Sequence, residues 1–168
     1  MELLKKYYRT ICDAIDSGDP KTLRQIFTDN SELLAAKSPR GTWLHIACLR
    51  GSLPCVKLLV EEYKADINST LKEYGSISPL CNAARYGFSD VVSYLLDKGA
   101  TMTTNTSLAS TANPLFSATM GHHLDVVKVL VERGIDTTVK YKNDVDAIEF
   151  ARQRQASDIV EYLAEIQI

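Results

Sequence analysis

Hydrophobic positions along this chain gather into short clusters that recur in a fixed order. The stretches TWLHIACLRGSLPCVKLL (42–59), SPLCNAARYGFSDVVSYLL (78–96) and NPLFSATMGHHLDVVKVLV (113–131) share one template. A small polar residue is followed by a bulky residue or proline, leucine, two variable positions and alanine. A glycine region comes next, then an apolar pair with a further apolar residue three positions on. Weaker copies flank these: TICDAIDSGDPKTLRQIF (10–27) and DAIEFARQRQASDIVEYLA (146–164). Apolar residues three and four apart predict amphipathic helices, and the glycine between two such runs predicts a tight turn, so each copy is expected to be a helical hairpin.

The alanine is the ruler. Ala14, Ala47, Ala83, Ala118 and Ala151 stand 33, 36, 35 and 33 residues apart. A period near 33 with a motif like Thr-Pro-Leu-His is the signature of one repeat architecture, and the sequence resembles the ankyrin repeat family over about residues 5 to 168. It departs from the pattern in places. Trp43 and Ala147 stand in the proline slot, Cys81 and Phe116 in the histidine slot, and His122 and Gln155 in the slot of the inter-helix glycine. The implied fold is all-α, an ankyrin solenoid of stacked helix-turn-helix units with extended hairpin-like loops. It forms a single domain over 1–168, with copies at about 5–37, 38–73, 74–108, 109–141 and 142–168.

Local chemistry supports that reading. Ser78-Pro79 and Asn113-Pro114 are helix starts, since a side-chain oxygen caps free N–H groups and proline gives up a donor that would be orphaned anyway. Asp19, Asp90, Asp125 and Asp158 lie in turns or on solvated helix faces, and three of them are expected to precede a second helix, where they favour its positive end. The pairs Cys55/Val56, Val91/Val92, Val126/Val127 and Ile159/Val160 form its buried stripe. One hairpin cannot cover its own apolar face, so copies must stack, and the polar first and fifth suit the role of caps.

Composition narrows the function. With 19 Lys and Arg against 21 Asp and Glu, the formal net charge of −2 offers no general attraction to nucleic acid or an anionic membrane. No run approaches the ~20 apolar residues of a membrane span, and no signal peptide is expected at the start. The four cysteines, Cys12, Cys48, Cys55 and Cys81, include no CxxC pair, so reduced thiols and a cytoplasmic location are expected. The sequons at Asn68 and Asn105 are read as chance matches. His45, Cys48 and Cys55 occupy slots that other copies fill with Phe, Thr or Val, so they are assigned to structure. His122-His123 is the remaining candidate ligand pair, although adjacent helical residues diverge and no third ligand lies at helical spacing. No hydrolase, zincin or phosphate-loop motif occurs. No cofactor, metal or catalytic residue is expected; an enzyme or metal sensor using His122 and His123 is the alternative.

Stacking leaves two columns free, the residues just before the inter-helix glycine: Asp16, Leu49, Arg85, Met120, Gln153, and then Ser17, Arg50, Tyr86, Gly121, Arg154. By resemblance these line the concave face used for binding. Candidate partner-binding residues are Leu49, Arg50, Arg85, Tyr86, Met120 and Arg154, with Tyr74 from a loop tip and Trp43. Trp43 either packs on the first copy or stands at the concave edge as an anchor. The loop tips add Lys37, Arg40, Lys72, Glu73, Lys140, Tyr141 and Lys142, mostly basic. A protein partner with an acidic patch, bound by a chain that is monomeric on its own, is therefore expected. The resemblance implies a stand-alone recognition module, either an immunity-type inhibitor covering a toxin or enzyme, or an adaptor joining two proteins.

Overall fold

A computed structural model describes residues 2–36, 38, 40–71, 77–102, 112–141 and 144–166. Ten helices lie among them: α1 (Glu2–Asp16), α2 (Pro20–Asp29), α3 (Trp43–Leu49), α4 (Leu53–Glu61), α5 (Pro79–Arg85), α6 (Ser89–Asp97), α7 (Pro114–Met120), α8 (Leu124–Glu132), α9 (Ala147–Gln153) and α10 (Ser157–Ile166). Consecutive pairs form five hairpins. The odd-numbered helices pack in one row and the even-numbered in a second, each helix touching its counterpart in the next hairpin. The described residues contain no strand; isolated antiparallel bridges at Ser38–Gly41, Leu71–Ile77 and Tyr141–Val145 close the extended loops.

The helix starts follow from their caps. The hydroxyl of Ser78 accepts from Cys81 N and the Asn113 side chain from Leu115 N and Phe116 N, each with proline at the first helical position. Where the proline is missing the cap remains: Thr42 accepts from His45 N, and Asp146 from Glu149 N. Asp19 caps α2. Asp90, Asp125 and Asp158 lie inside the first turn of their helices rather than before it, where a carboxylate still meets free N–H groups.

The ruler alanines explain how the hairpins approach one another. Ala47, Ala83, Ala118 and Ala151 are fully buried and Ala14 nearly so. Between the two helices of each hairpin the backbone turns through a left-handed residue, with Gly51 at φ 68° and Gly87 at φ 80°. His122 and Gln155 take the same conformation at φ 60° and 58°, as their place in the glycine slot predicted. The residue after this turn lies over the turn of the preceding hairpin. The Phe88 ring covers Gly51, and a β-carbon at Gly87 would sit 2.5 Å from His123 Nδ1. Glycine at 51 and 87 therefore meets two demands, positive φ and a ring directly overhead.

α1 departs from the repeat. It runs fifteen residues where α3, α5, α7 and α9 run seven. The slot that holds the caps Thr42, Ser78, Asn113 and Asp146 in the other copies holds Arg9 here, and Leu4, Tyr8, Ile11 and Ile15 share one helical face, so the helix extends and packs Leu4 and Tyr8 against the edge of the core. On the even-numbered row, ion pairs link successive helices: Arg24 with Glu62, Lys98 with Glu61 at 3.1 Å, and Arg133 with Asp97 at 2.6 Å. The Tyr94 hydroxyl donates to Glu61 at 3.0 Å; desolvation and this carboxylate push its pKa up to about 12.

Candidate partner-binding surface

Side chains from Trp43 to Cys48, Pro79 to Ala84 and Pro114 to Thr119 are all buried. The first to leave the core are those at the helix ends. Asp16, Leu49, Arg85, Met120 and Gln153 are the last residues of the five odd-numbered helices, and Ser17, Arg50, Tyr86, Gly121 and Arg154 follow them. The structure thus aligns the predicted columns along one row of helix ends.

Within the columns the side chains differ in how committed they are. Leu49, Arg85 and Met120 are half-buried. Tyr86 is 50 % exposed, the most exposed of the large hydrophobic residues described. Arg50 lies 3.4 Å from Asp16 of the preceding hairpin. The Arg154 guanidinium sits 5.1 Å from the Phe150 ring centroid. Among the described residues Arg85 and Arg154 have no carboxylate partner. Tyr74 lies outside the described residues, as do Lys37, Lys72, Glu73 and Lys142.

Trp43 requires a correction. It is 2 % exposed, its Nε1–H donates to the Leu33 carbonyl at 2.6 Å, and its ring packs 6.0 Å from Tyr8 and 6.2 Å from Phe27. The indole fills the joint between the first and second hairpins. Trp43 belongs to the core and is not a surface anchor. Tyr141 is also consumed by packing, with its ring 5.3 Å from Phe150 and 5.7 Å from Phe116. Arg40 stays exposed, and Lys140 lies 3.8 Å from Asp146.

The side chains that suggested chemistry hold the stack together. His45 is fully buried, with Nδ1 2.8 Å from the Thr42 hydroxyl and Nε2 3.3 Å from the Ile77 carbonyl. The carbonyl can only accept, so Nε2–H is the donor in that bond. Asn82 donates to the His45 carbonyl at 3.2 Å, a bridge between hairpins that the motif alone did not reveal. Cys48, Cys55 and Cys81 are buried free thiols, and burial pushes all three pKa values up. His123 is wedged between the Gly87 and Gly121 backbones while His122 is exposed. Among the described residues no three metal-ligating side chains gather.

Those thiol shifts carry a pH signature. A thiol whose folded pKa is raised favours the fold fully below the unfolded value, about 8.5, and the advantage is lost as pH rises above it. Melting temperature should therefore hold between pH 6 and 8 and fall above pH ~9. Cys48→Ala should lessen that fall, and an identical slope would place the effect elsewhere. In the native protein a thiol reagent should modify half-buried Cys12 alone at neutral pH.

Similarity to known proteins agrees with this architecture. A family model described as ankyrin repeats (three copies) matches residues 11–106 and 44–141. A putative ankyrin repeat protein of Rickettsia felis is 37% identical over 93 residues, which are 55% of this chain and 40% of that protein. Human protein phosphatase 1 regulatory subunit 27 is 37% identical over 89 residues, 52% of this chain and 56% of that one. Human ankyrin repeat and KH domain-containing protein 1 is 32% identical over 103 residues, 61% of this chain and 4% of that protein. The chain thus spans about half or less of the relatives it matches. With the alanine register, the left-handed turns and the family match in agreement, this chain belongs to the ankyrin repeat family.

Proposed function

We propose that this chain is a non-catalytic recognition module that binds one protein partner through the row of helix ends carrying Leu49, Arg50, Arg85, Tyr86, Met120 and Arg154. The observation that carries the reading is the burial pattern. The three central odd-numbered helices, α3, α5 and α7, commit their side chains to the stack up to the last residue, and the helix ends then present large, hydrogen-bonding and apolar residues of the kind that dominate interfaces. Binding by such a chain acts by blocking or bridging. Of the two we favour blocking, as an inhibitor or immunity-type protein that covers a toxin or enzyme. The human relative is named a regulatory subunit of a protein phosphatase, which fits action on an enzyme through binding. Three arginines on the surface favour a partner with an acidic patch. The module is proposed to act in the cytoplasm as a monomer; no described helix is long and apolar enough to cross a membrane.

Affinity capture followed by mass spectrometry identifies the partner, and charge reversal then tests the surface. Arg50→Glu combined with Arg85→Glu should weaken binding of the captured partner by more than tenfold, ~1.4 kcal/mol, with melting temperature nearly unchanged. Unaltered affinity would move the site off this face.

A further inference from the structure

The two columns are not electrostatically uniform. At the N-terminal end Asp16 lies 3.4 Å from Arg50, so the first arginine already faces a carboxylate of its own chain. Beyond it, Arg85 and Arg154 face none among the described residues, and Gln153 beside Arg154 is neutral. Between these two arginines lie the exposed ring of Tyr86 and the half-buried thioether of Met120. The second column has glycine at 121, so no side chain stands between Tyr86 and Arg154.

We propose that the recognition centre is the C-terminal half of this surface, Arg85, Tyr86, Met120 and Arg154, and that its occupant is an extended segment of the partner protein in which carboxylates on either side flank one bulky apolar side chain. This rests on the functional reading above and narrows it. Exposed charge pairs contribute little by themselves, so affinity must come from an apolar group covering Tyr86 and Met120. Methionine is flexible enough to shape itself to the incoming side chain. The two arginines then set register and exclude basic competitors. Helices in adjacent hairpins pack about 10 Å apart, which places Arg85 and Arg154 roughly 20 Å apart along the row. An extended chain rising about 3.3 Å per residue covers that distance in about six residues, so the carboxylates belong about three positions to either side of the apolar anchor. Asp16 disfavours an additional carboxylate at Arg50, which biases docking toward the third to fifth hairpins.

The test sorts a yeast-displayed library of random 12-residue segments against the intact fluorescently labelled chain. Enriched segments should carry an aromatic residue or leucine with Asp or Glu about three residues to each side. Arg85→Glu, Arg154→Glu and Tyr86→Ala should each weaken their binding more than tenfold. Arg50→Glu should cost several-fold less, and Lys128→Glu on the opposite row should change nothing. Circular dichroism confirms that each variant folds. Segments without acidic residues, absence of enrichment, or full binding by Arg85→Glu and Arg154→Glu would overturn the proposal. If Arg50→Glu abolished binding while those two did not, the helix-end surface would stand and the C-terminal assignment would fall. Indifference to every column substitution would remove both.

Discussion

Trp43→Ala is expected to lower folding stability by about 3–5 kcal/mol, the range for removing a large buried aromatic, and to do so without touching a partner. The ring is 2 % exposed between Tyr8 of α1 and Phe27 of α2, so its loss leaves a cavity at the joint between first and second hairpins. It also removes one of the two hydrogen bonds to the Leu33 carbonyl, which accepts from Nε1–H at 2.6 Å and from the Ala36 N–H at 3.1 Å. Trp43→Phe separates the two effects. It keeps most of the volume and loses the indole hydrogen bond while the Leu33 carbonyl keeps the Ala36 N–H, so a cost of about 0.5–1.5 kcal/mol is expected. Urea denaturation measures both. A loss under ~1 kcal/mol for Trp43→Ala would mean that the indole is solvent-facing and would restore it as a candidate anchor.

Gly121→Ala should destabilise by about 1–3 kcal/mol, in the range of overpacked sites. Backbone torsion is not the reason: Gly121 has φ −86° and ψ −3°, which alanine adopts freely. The added methyl would run into the Arg85 carbonyl oxygen and the His123 ring. The ring can shift, but the carbonyl is fixed at the end of α5, so the third and fourth hairpins would have to separate. The same slot carries Arg50, Tyr86 and Arg154 in other hairpins, and Arg50→Ala or Tyr86→Ala should fall within ±0.5 kcal/mol. If Gly121→Ala melts like wild type, α5 and α7 do not approach as closely as described.

These two residues mark where the sequence speaks and where it falls silent. Features that repeat were readable: the alanine register, the caps at Ser78 and Asn113, and left-handed backbone at His122 and Gln155 all follow from alignment of the copies. Features that occur once were not. Trp43 had two plausible roles because it is the one tryptophan, standing in a slot that later copies fill with proline or alanine, and its environment comes from Tyr8 and Phe27 of the weakly patterned first copy. The full length of α1 was missed because the template covers only its last seven residues, though the spacing of Leu4, Tyr8, Ile11 and Ile15 carried the signal. The Asp16–Arg50 pair depends on side-chain reach between hairpins. Tyr141 looked like a loop tip, yet its ring joins Phe116 and Phe150 because the loop folds back over α7 and α9. On the surface, the aligned positions of the columns were predictable, while the division into a self-paired and an unpaired half required coordinates.

The central claim is that stacking consumes one periodic set of positions and leaves another spare. A complete single-substitution scan scored by protease resistance tests it in one measurement. Residues 47, 83, 118 and 151 should reject anything larger than alanine, with Ala83→Leu costing ~1–3 kcal/mol, while 50, 85, 86, 120 and 154 accept polar and apolar replacements alike. Ruler positions that tolerate leucine, or columns as intolerant as the alanines, would contradict it.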